Sequence, residues 1–214
     1  MTPPLQPLEW VRPPQQARSA QTLERLLDAA EELIVERGLD GATVAEVARR
    51  AESSVGSFYN RFPDKQALLR CVADRFYRQA VDTACAVLDP ARWHGYSLRD
   101  VVESCVAFLV DVFVQRRRLI RAISLAAADD PDLDAVGRRL GDAVAERVLA
   151  LLDRRGETLD HPEPEVGVRV AVWLVLSALH AHCLHDDAPP PVPPRRLAAE
   201  ITSMCLLYLH HKES

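Results

Sequence analysis

The sequence predicts an all-α chain, with an N-terminal three-helix unit followed by a larger helical domain. Three observations carry that reading. Apolar residues recur at steps of three and four along most of the chain, and no stretch alternates with the period of two that a half-buried strand needs. Ala, Leu, Val and Arg are abundant, while aromatic residues make up 6% and glycines number only 8, a mix that favours helices over strands. The 15 prolines act as punctuation. One cluster lies at 3, 4, 7, 13 and 14, another at 189, 190, 191, 193 and 194. The remaining five, at 63, 90, 131, 162 and 164, fall where helices start or stop.

Taken in order, residues 1–16 form a Pro-rich extended arm. The first helix spans about 17–37, with Leu23, Leu26, Leu27, Ala30, Leu33 and Ile34 on one face. Gly38 and Gly41 end it. Thr43 caps a short helix over 43–50, and Glu46, three residues on, completes a capping-box pattern. A tight turn at 51–53 leads to a second short helix at 54–60. Asp64, after Pro63, caps a long helix over 64–88. Further helices are expected near 97–115, 117–128, 132–155, 164–185 and 195–211, with Ser97, Asp132 and Pro164 as starts. Residues 188–194 form a stiff Pro-rich link. The helix at 164–185 is apolar nearly all round over Val166–Leu179, so it is buried on more than one side, within the chain or against a partner. Domain boundaries follow at 1–16, 17–65 and 66–214.

Charge and cysteine content narrow the function classes. Hydrophobic residues are 48% and charged residues 27%, an ordinary globular balance. The net charge of −5 provides no global basic field for nucleic acid or membrane. The first 78 residues are net neutral, however, and the remainder carries the excess acid. Cysteines at 71, 85, 105, 183 and 205 are odd in number and show no CxxC spacing, which reads as reduced intracellular thiols. No apolar run reaches the roughly 18 residues of a membrane helix, and the first 20 residues lack a signal-peptide core. A cytoplasmic protein with no membrane partner is expected. GxSxG, Walker, HExxH and GxGxxG motifs are all absent, so no enzyme is expected.

Two short helices joined by a tight turn within a three-helix unit suggest helix-turn-helix DNA binding. The residues are Thr43-Val44-Ala45-Glu46-Val47-Ala48-Arg49-Arg50-Ala51, then Ser54-Val55-Gly56-Ser57-Phe58-Tyr59-Asn60-Arg61-Phe62, then Pro63-Asp64-Lys65-Gln66-Ala67-Leu68-Leu69. This run closely resembles the DNA-binding domain of the TetR family of bacterial transcriptional repressors. The Leu26-x-x-Ala29-Ala30-x-x-Leu33-x-x-x-x-Gly38 pattern ahead of it fits that family's first helix. The resemblance covers about residues 20–70; beyond them, length and helical layout agree.

The resemblance implies a DNA-contact set, and the chemistry of each residue suits its role. Thr43 sits at a helix N-terminus, where its hydroxyl and free amides can hold a phosphate. Tyr59 and Lys65 match the family's phosphate-contacting tyrosine and lysine. Gly56 lets the second short helix approach the major groove closely. Ser54, Val55, Ser57 and Asn60 face outward on it; Asn60 can read adenine or bind phosphate, and Val55 can touch a thymine methyl. Val44, Val47, Ala48, Phe58 and Phe62 read as core. Recognition-helix charge is low, so Arg49, Arg50, Arg61, Lys65 and Arg18 are the cations left for phosphate. Arg12 and Arg18 lie in or beside the arm, within reach of a minor groove. Two residues depart from the family pattern. Glu52 occupies a turn position usually held by glycine, where positive φ is required, and Ser53 replaces an apolar residue.

For the C-terminal domain, the resemblance implies a homodimer through an intermolecular four-helix bundle of 164–185 and 195–211. A palindromic double-stranded DNA operator follows, with half-sites roughly 34–36 Å apart or a multiple. It also implies a small-molecule effector in a pocket between helix 64–88 and the helices of 97–185, whose binding lowers operator affinity. Candidate lining residues are Phe76, Trp93, Phe108, Val112, Phe113, Ser124 and Trp173, each more readily accounted for as plain core, as aromatics at helical spacing usually are. Few buried charges are evident, so the ligand is expected to be apolar or aromatic. Arg116, Arg117 and Arg118 suit either an acidic ligand or a solvated helix junction. His182, His185 and Asp186 share one helix face and have metal-ligand chemistry, but a helix C-terminus favours His by itself. No metal and no cofactor are expected. Two functions stand at this point: a dimeric, ligand-released repressor, or a helical protein-interaction module whose helix-turn-helix has decayed.

Overall fold

The computed structural model describes residues 17–184 and 192–210. The expected arm, with Arg12, lies outside them, as do His185, Asp186 and most of the 188–194 link. The helices are α1 (Ala17–Gly41), α2 (Val44–Arg50), α3 (Val55–Tyr59), α4 (Lys65–Val87), α5 (Leu98–Gln115), α6 (Arg117–Ala127), α7 (Pro131–Arg155), α8 (Pro164–Leu184) and α9 (Pro194–Leu209). No strand occurs among the described residues.

Most boundaries have the local cause that the sequence indicated. Gly38 takes φ 74 and ψ 177, which breaks α1 before its last turn. Asp64 accepts the Ala67 N–H at 2.7 Å at the start of α4. Ser97 opens α5 in a complete capping box: its hydroxyl accepts the Asp100 N–H at 3.2 Å, and the Asp100 carboxylate accepts the Ser97 N–H at 2.8 Å. Two boundaries differ. The start of α7 is capped by Asp130, not Asp132; its carboxylate accepts the N–H groups of Asp132 and Leu133, and Pro131 fills the first helical position. A 3₁₀ turn over Pro90–Trp93, capped by Asp89, was not expected. It is too short to show an apolar period.

The chain divides into two compact units, residues 1–76 and 77–214. The division falls inside α4 rather than at 65–66, because Leu68, Leu69, Val72 and Ala73 of α4 are buried in the N-terminal unit's core. That core also holds Leu26, Leu33, Val47, Phe58 and Phe62, each with almost no exposed surface. Arg75 of α4 fastens onto α1 through Asp28 at 2.6 Å and Glu31 at 2.9 Å. In the C-terminal unit, α5 packs chiefly on α9, and α8 on α6 and α7. By length and composition α8 matches a membrane-crossing helix. Here its Val168, Ala171, Val175, Leu179 and Cys183 form one buried side. The other side of α8 is open in the single chain, with Trp173 64% exposed.

Candidate nucleic-acid interface

The helix-turn-helix begins at Thr43, whose hydroxyl caps α2 by accepting the Glu46 N–H at 3.3 Å. The capping-box pattern is used only in that direction. The Glu46 carboxylate turns instead to Arg49, at 3.2 and 2.8 Å, which holds its carboxyl below the ordinary range. The turn is a Schellman motif. Ser53 N–H donates to the Ala48 carbonyl at 2.9 Å and Glu52 N–H to that of Arg49 at 3.2 Å. Glu52 sits at φ 49, the one non-glycine with positive φ among the described residues. Thus the motif that normally takes glycine forms here around a glutamate.

Ser54 then caps α3, accepting the Ser57 N–H at 3.0 Å. Phe58 points into the core and packs on Phe62 with ring centres 5.3 Å apart. With Phe58 inward, the opposite face of α3 turns to solvent. Val55 is 44% exposed and Tyr59 55%; Ser54, Gly56 and Asn60 are exposed as well, and Ser57 is half-buried. A Cβ at Gly56 would meet only the Ser54 hydroxyl, at 3.8 Å, so the backbone there is bare surface. Val47 and Ala48 are buried as expected, while Val44 is only half-buried.

The cations around this face are largely engaged. Arg50 forms a two-pronged pair with Glu36 at 2.8 Å and reaches Glu32 at 3.3 Å. It ties α2 to α1 and depresses the Glu36 carboxyl. Lys65 donates to the Leu39 carbonyl at the end of α1 and is half-buried. Spacing alone could not reveal these partners, because they lie far along the chain. Arg18 falls within α1, with its side chain outside the described residues.

Residues 26–72, which contain this whole arrangement, match the family described as bacterial regulatory proteins, tetR family. Residues 97–209, more than half of the chain, match the tetracyclin repressor-like C-terminal domain. The chain belongs to the TetR family. It is a transcriptional regulator with a helix-turn-helix DNA-binding domain. The HTH-type transcriptional repressor BepR of Brucella suis biovar 1 (strain 1330) is 24% identical over 170 residues, covering 74% of this chain and 79% of BepR. The HTH-type regulator YvdT of Bacillus subtilis (strain 168) is 36% identical over 59 residues, covering 28% of this chain and 30% of YvdT. The match to YvdT thus spans less than a third of that protein's length. Among solved structures, a TetR-family regulator of Mesorhizobium loti MAFF303099 superposes with a TM-score of 0.74 at 19% identity, covering 91% of this chain and 98% of the other. Salmonella enterica GusR gives 0.67 at 18%, covering 89% and 96%.

TetR-family C-terminal domains vary, and here the expected pocket residues scatter. Ser124 and Trp173 line an open groove of about 440 Å³ between α6, α7 and α8. A second cavity, of about 110 Å³, lies between α5, α7, α8 and α9 and is lined by aliphatic side chains with Cys105 and Cys205. None of Phe76, Trp93, Phe108, Val112 and Phe113 lines either one. Trp93 donates its indole N–H to the Val87 carbonyl at 2.6 Å and stacks edge-on against Tyr96. Phe113 is buried edge-on against His180, and Phe108 is exposed. Phe113 fills core space and Trp93 fixes a turn, while aliphatic residues, passed over in the sequence, bound the smaller cavity. Arg117 donates to the His182 carbonyl at 3.4 Å, near the end of α8. His182 is half-buried, and burial lowers its pKa. No group of three His, Cys, Asp or Glu side chains able to hold a metal forms among the described residues.

Proposed function

We propose that the chain acts in the cytoplasm as a homodimeric repressor that binds a palindromic operator and is released by a small, largely apolar ligand. The observation behind DNA recognition is the outward face of α3. Val55, Gly56, Tyr59 and Asn60 are exposed together while Phe58 locks the opposite face into the core. In this reading Ser54, Val55, Gly56, Ser57 and Asn60 meet base edges and backbone in the major groove, and Thr43, Tyr59 and Lys65 meet phosphates. A bare glycine surface and a valine methyl suit close approach to a thymine methyl. Repression is supported by the likeness to BepR, whose name states that activity. Dimerisation is supported by the open apolar side of α8 and α9, with Trp173, Leu174, Met204 and Leu207 unpartnered by the chain's own core. Ligand release is supported by the aliphatic cavity. The DNA-free interaction module is not favoured, because a packing corner has no use for that set of exposed residues.

Fluorescence anisotropy tests this reading. The full chain is titrated onto a duplex taken from upstream of its own gene, with a shuffled duplex as competitor. Saturable binding that resists the competitor is expected. Equal loss to the shuffled duplex, repeated across a genomic fragment library, would overturn sequence-specific regulation.

A further inference from the structure

The cavity between α5, α7, α8 and α9 has a shape and a chemistry that select its occupant. Its lining on α5 runs from Leu98 to Leu109, and on α8 from Val168 to Leu176. At 1.5 Å per residue those stretches extend roughly 16 Å and 12 Å. Only about 110 Å³ is spread along that length, which makes a narrow slot rather than a round chamber. The side chains that bound it are valine, leucine and alanine, with the thiols of Cys105 and Cys205; none carries a ring, hydroxyl, amide or charge. Burial pushes both thiols up to about 11, so near neutral pH they are uncharged, polarisable surface.

Each property weighs against a class of ligand. A polar group carried into the slot would lose its water and find no partner. An aromatic ring would find no other ring to meet edge-on or stacked and so would gain nothing beyond apolar burial. A dry apolar cavity on the order of 150 Å³ takes up an apolar guest, benzene included, so the length of the lining is what favours a chain over a ring. We propose that this slot binds an unbranched saturated alkyl chain, methyl end innermost, with the polar head left at the surface. The site stands on its own lining; only its role as the operator-releasing site rests on the effector reading above.

Saturation-transfer NMR on the full-length protein tests it with n-hexanol, with hexanediol bearing a hydroxyl at each end, and with benzyl alcohol. For n-hexanol the largest transfer is expected at the methyl. Hexanediol is expected to bind about tenfold more weakly, since one hydroxyl must be buried without a partner. Benzyl alcohol is expected to be the weaker binder as well. Ala171→Phe fills the slot and is expected to abolish the n-hexanol signal with helicity unchanged. If that variant does not fold, the comparison of the three alcohols on the native protein decides alone. Hexanoate in place of n-hexanol separates an acid from an alcohol source, and binding by either retains the assignment. Equal binding of n-hexanol and hexanediol, stronger binding of benzyl alcohol, transfer centred on the carbinol end, or no signal would each overturn it. The operator complex separates the two readings. Binding of n-hexanol without release of DNA keeps the slot and removes its regulatory role. Release by some other compound, with no n-hexanol signal, removes the slot and keeps the effector.

Discussion

Glu52 holds a left-handed conformation that an L side chain adopts at a cost of about 1 kcal/mol. The chain itself supplies the comparison. The end of α7 is closed by the same pair of backbone bonds, Glu157 N–H to Leu152 and Gly156 N–H to Asp153, around Gly156 at φ 62. Glu52→Gly is therefore expected to raise stability by up to about 1 kcal/mol, read as a higher urea midpoint with an unchanged slope. Removing a carboxylate beside the DNA face should also tighten binding to every duplex. A lower midpoint would show that the glutamate makes a compensating interaction. Tyr59 and Lys65 separate in a similar way. Tyr59 is exposed, so Tyr59→Phe should weaken binding to all DNA sequences alike with stability and the salt slope unchanged, because its hydroxyl is uncharged and displaces no counterion. Lys65→Ala removes the bond to the Leu39 carbonyl and is expected to lower stability as well, by about 1 kcal/mol. A loss for Tyr59→Phe confined to one operator sequence would refute its phosphate role, as an unchanged salt slope would for Lys65→Ala.

At the scale of elements, what could be read in advance depended on how local the cause was. The caps Thr43, Asp64 and Ser97 bond within three residues of themselves, and each was legible. So was the inward turn of Phe58, set by its step of four to Phe62. Arg50, by contrast, looked like a phosphate ligand until its partners Glu32 and Glu36 came beside it through the fold. The aliphatic cavity was illegible for the same reason: it is made where four helices fail to meet closely, and aliphatic residues that line a gap look like those that fill one. The α5 capping box has its own pH signature. Hydrogen bonds from Ser97 hold the Asp100 carboxyl below its ordinary value. The unfolded chain therefore takes up that proton at a higher pH than the folded one. The contribution is complete above the ordinary carboxylate range and is lost as pH falls through the depressed folded value. Ser97→Ala should cost about 1 kcal/mol near neutral pH, and the gap to the native protein should narrow in acid, the hydroxyl's bond from the Asp100 N–H being independent of pH. A gap independent of pH in urea titrations would rule out the carboxylate's share.

For the whole molecule, the open side of α8 and α9 is the assembly surface of the proposed homodimer. Leu207 is 75% exposed, Trp173 64%, a pattern at odds with a chain that works alone. Leu207→Glu should give monomers in sedimentation equilibrium, with secondary structure retained. Operator affinity should then fall roughly a hundredfold, because two linked recognition helices gain effective concentration that one cannot. Dimers persisting in the variant would place the assembly surface elsewhere.

The recognition helix, Val55–Tyr59, contains no charged residue, and the cations Arg49 and Arg50 beside it are held by the protein's own carboxylates. Such a surface displaces few counterions from arbitrary duplex, so residence at wrong sites is brief even though the chromosome offers them in vast excess. Most copies then stay in free solution between encounters. On the operator binding proposed above, occupancy would follow the number of molecules in the cell, with little loss to a nonspecific reservoir.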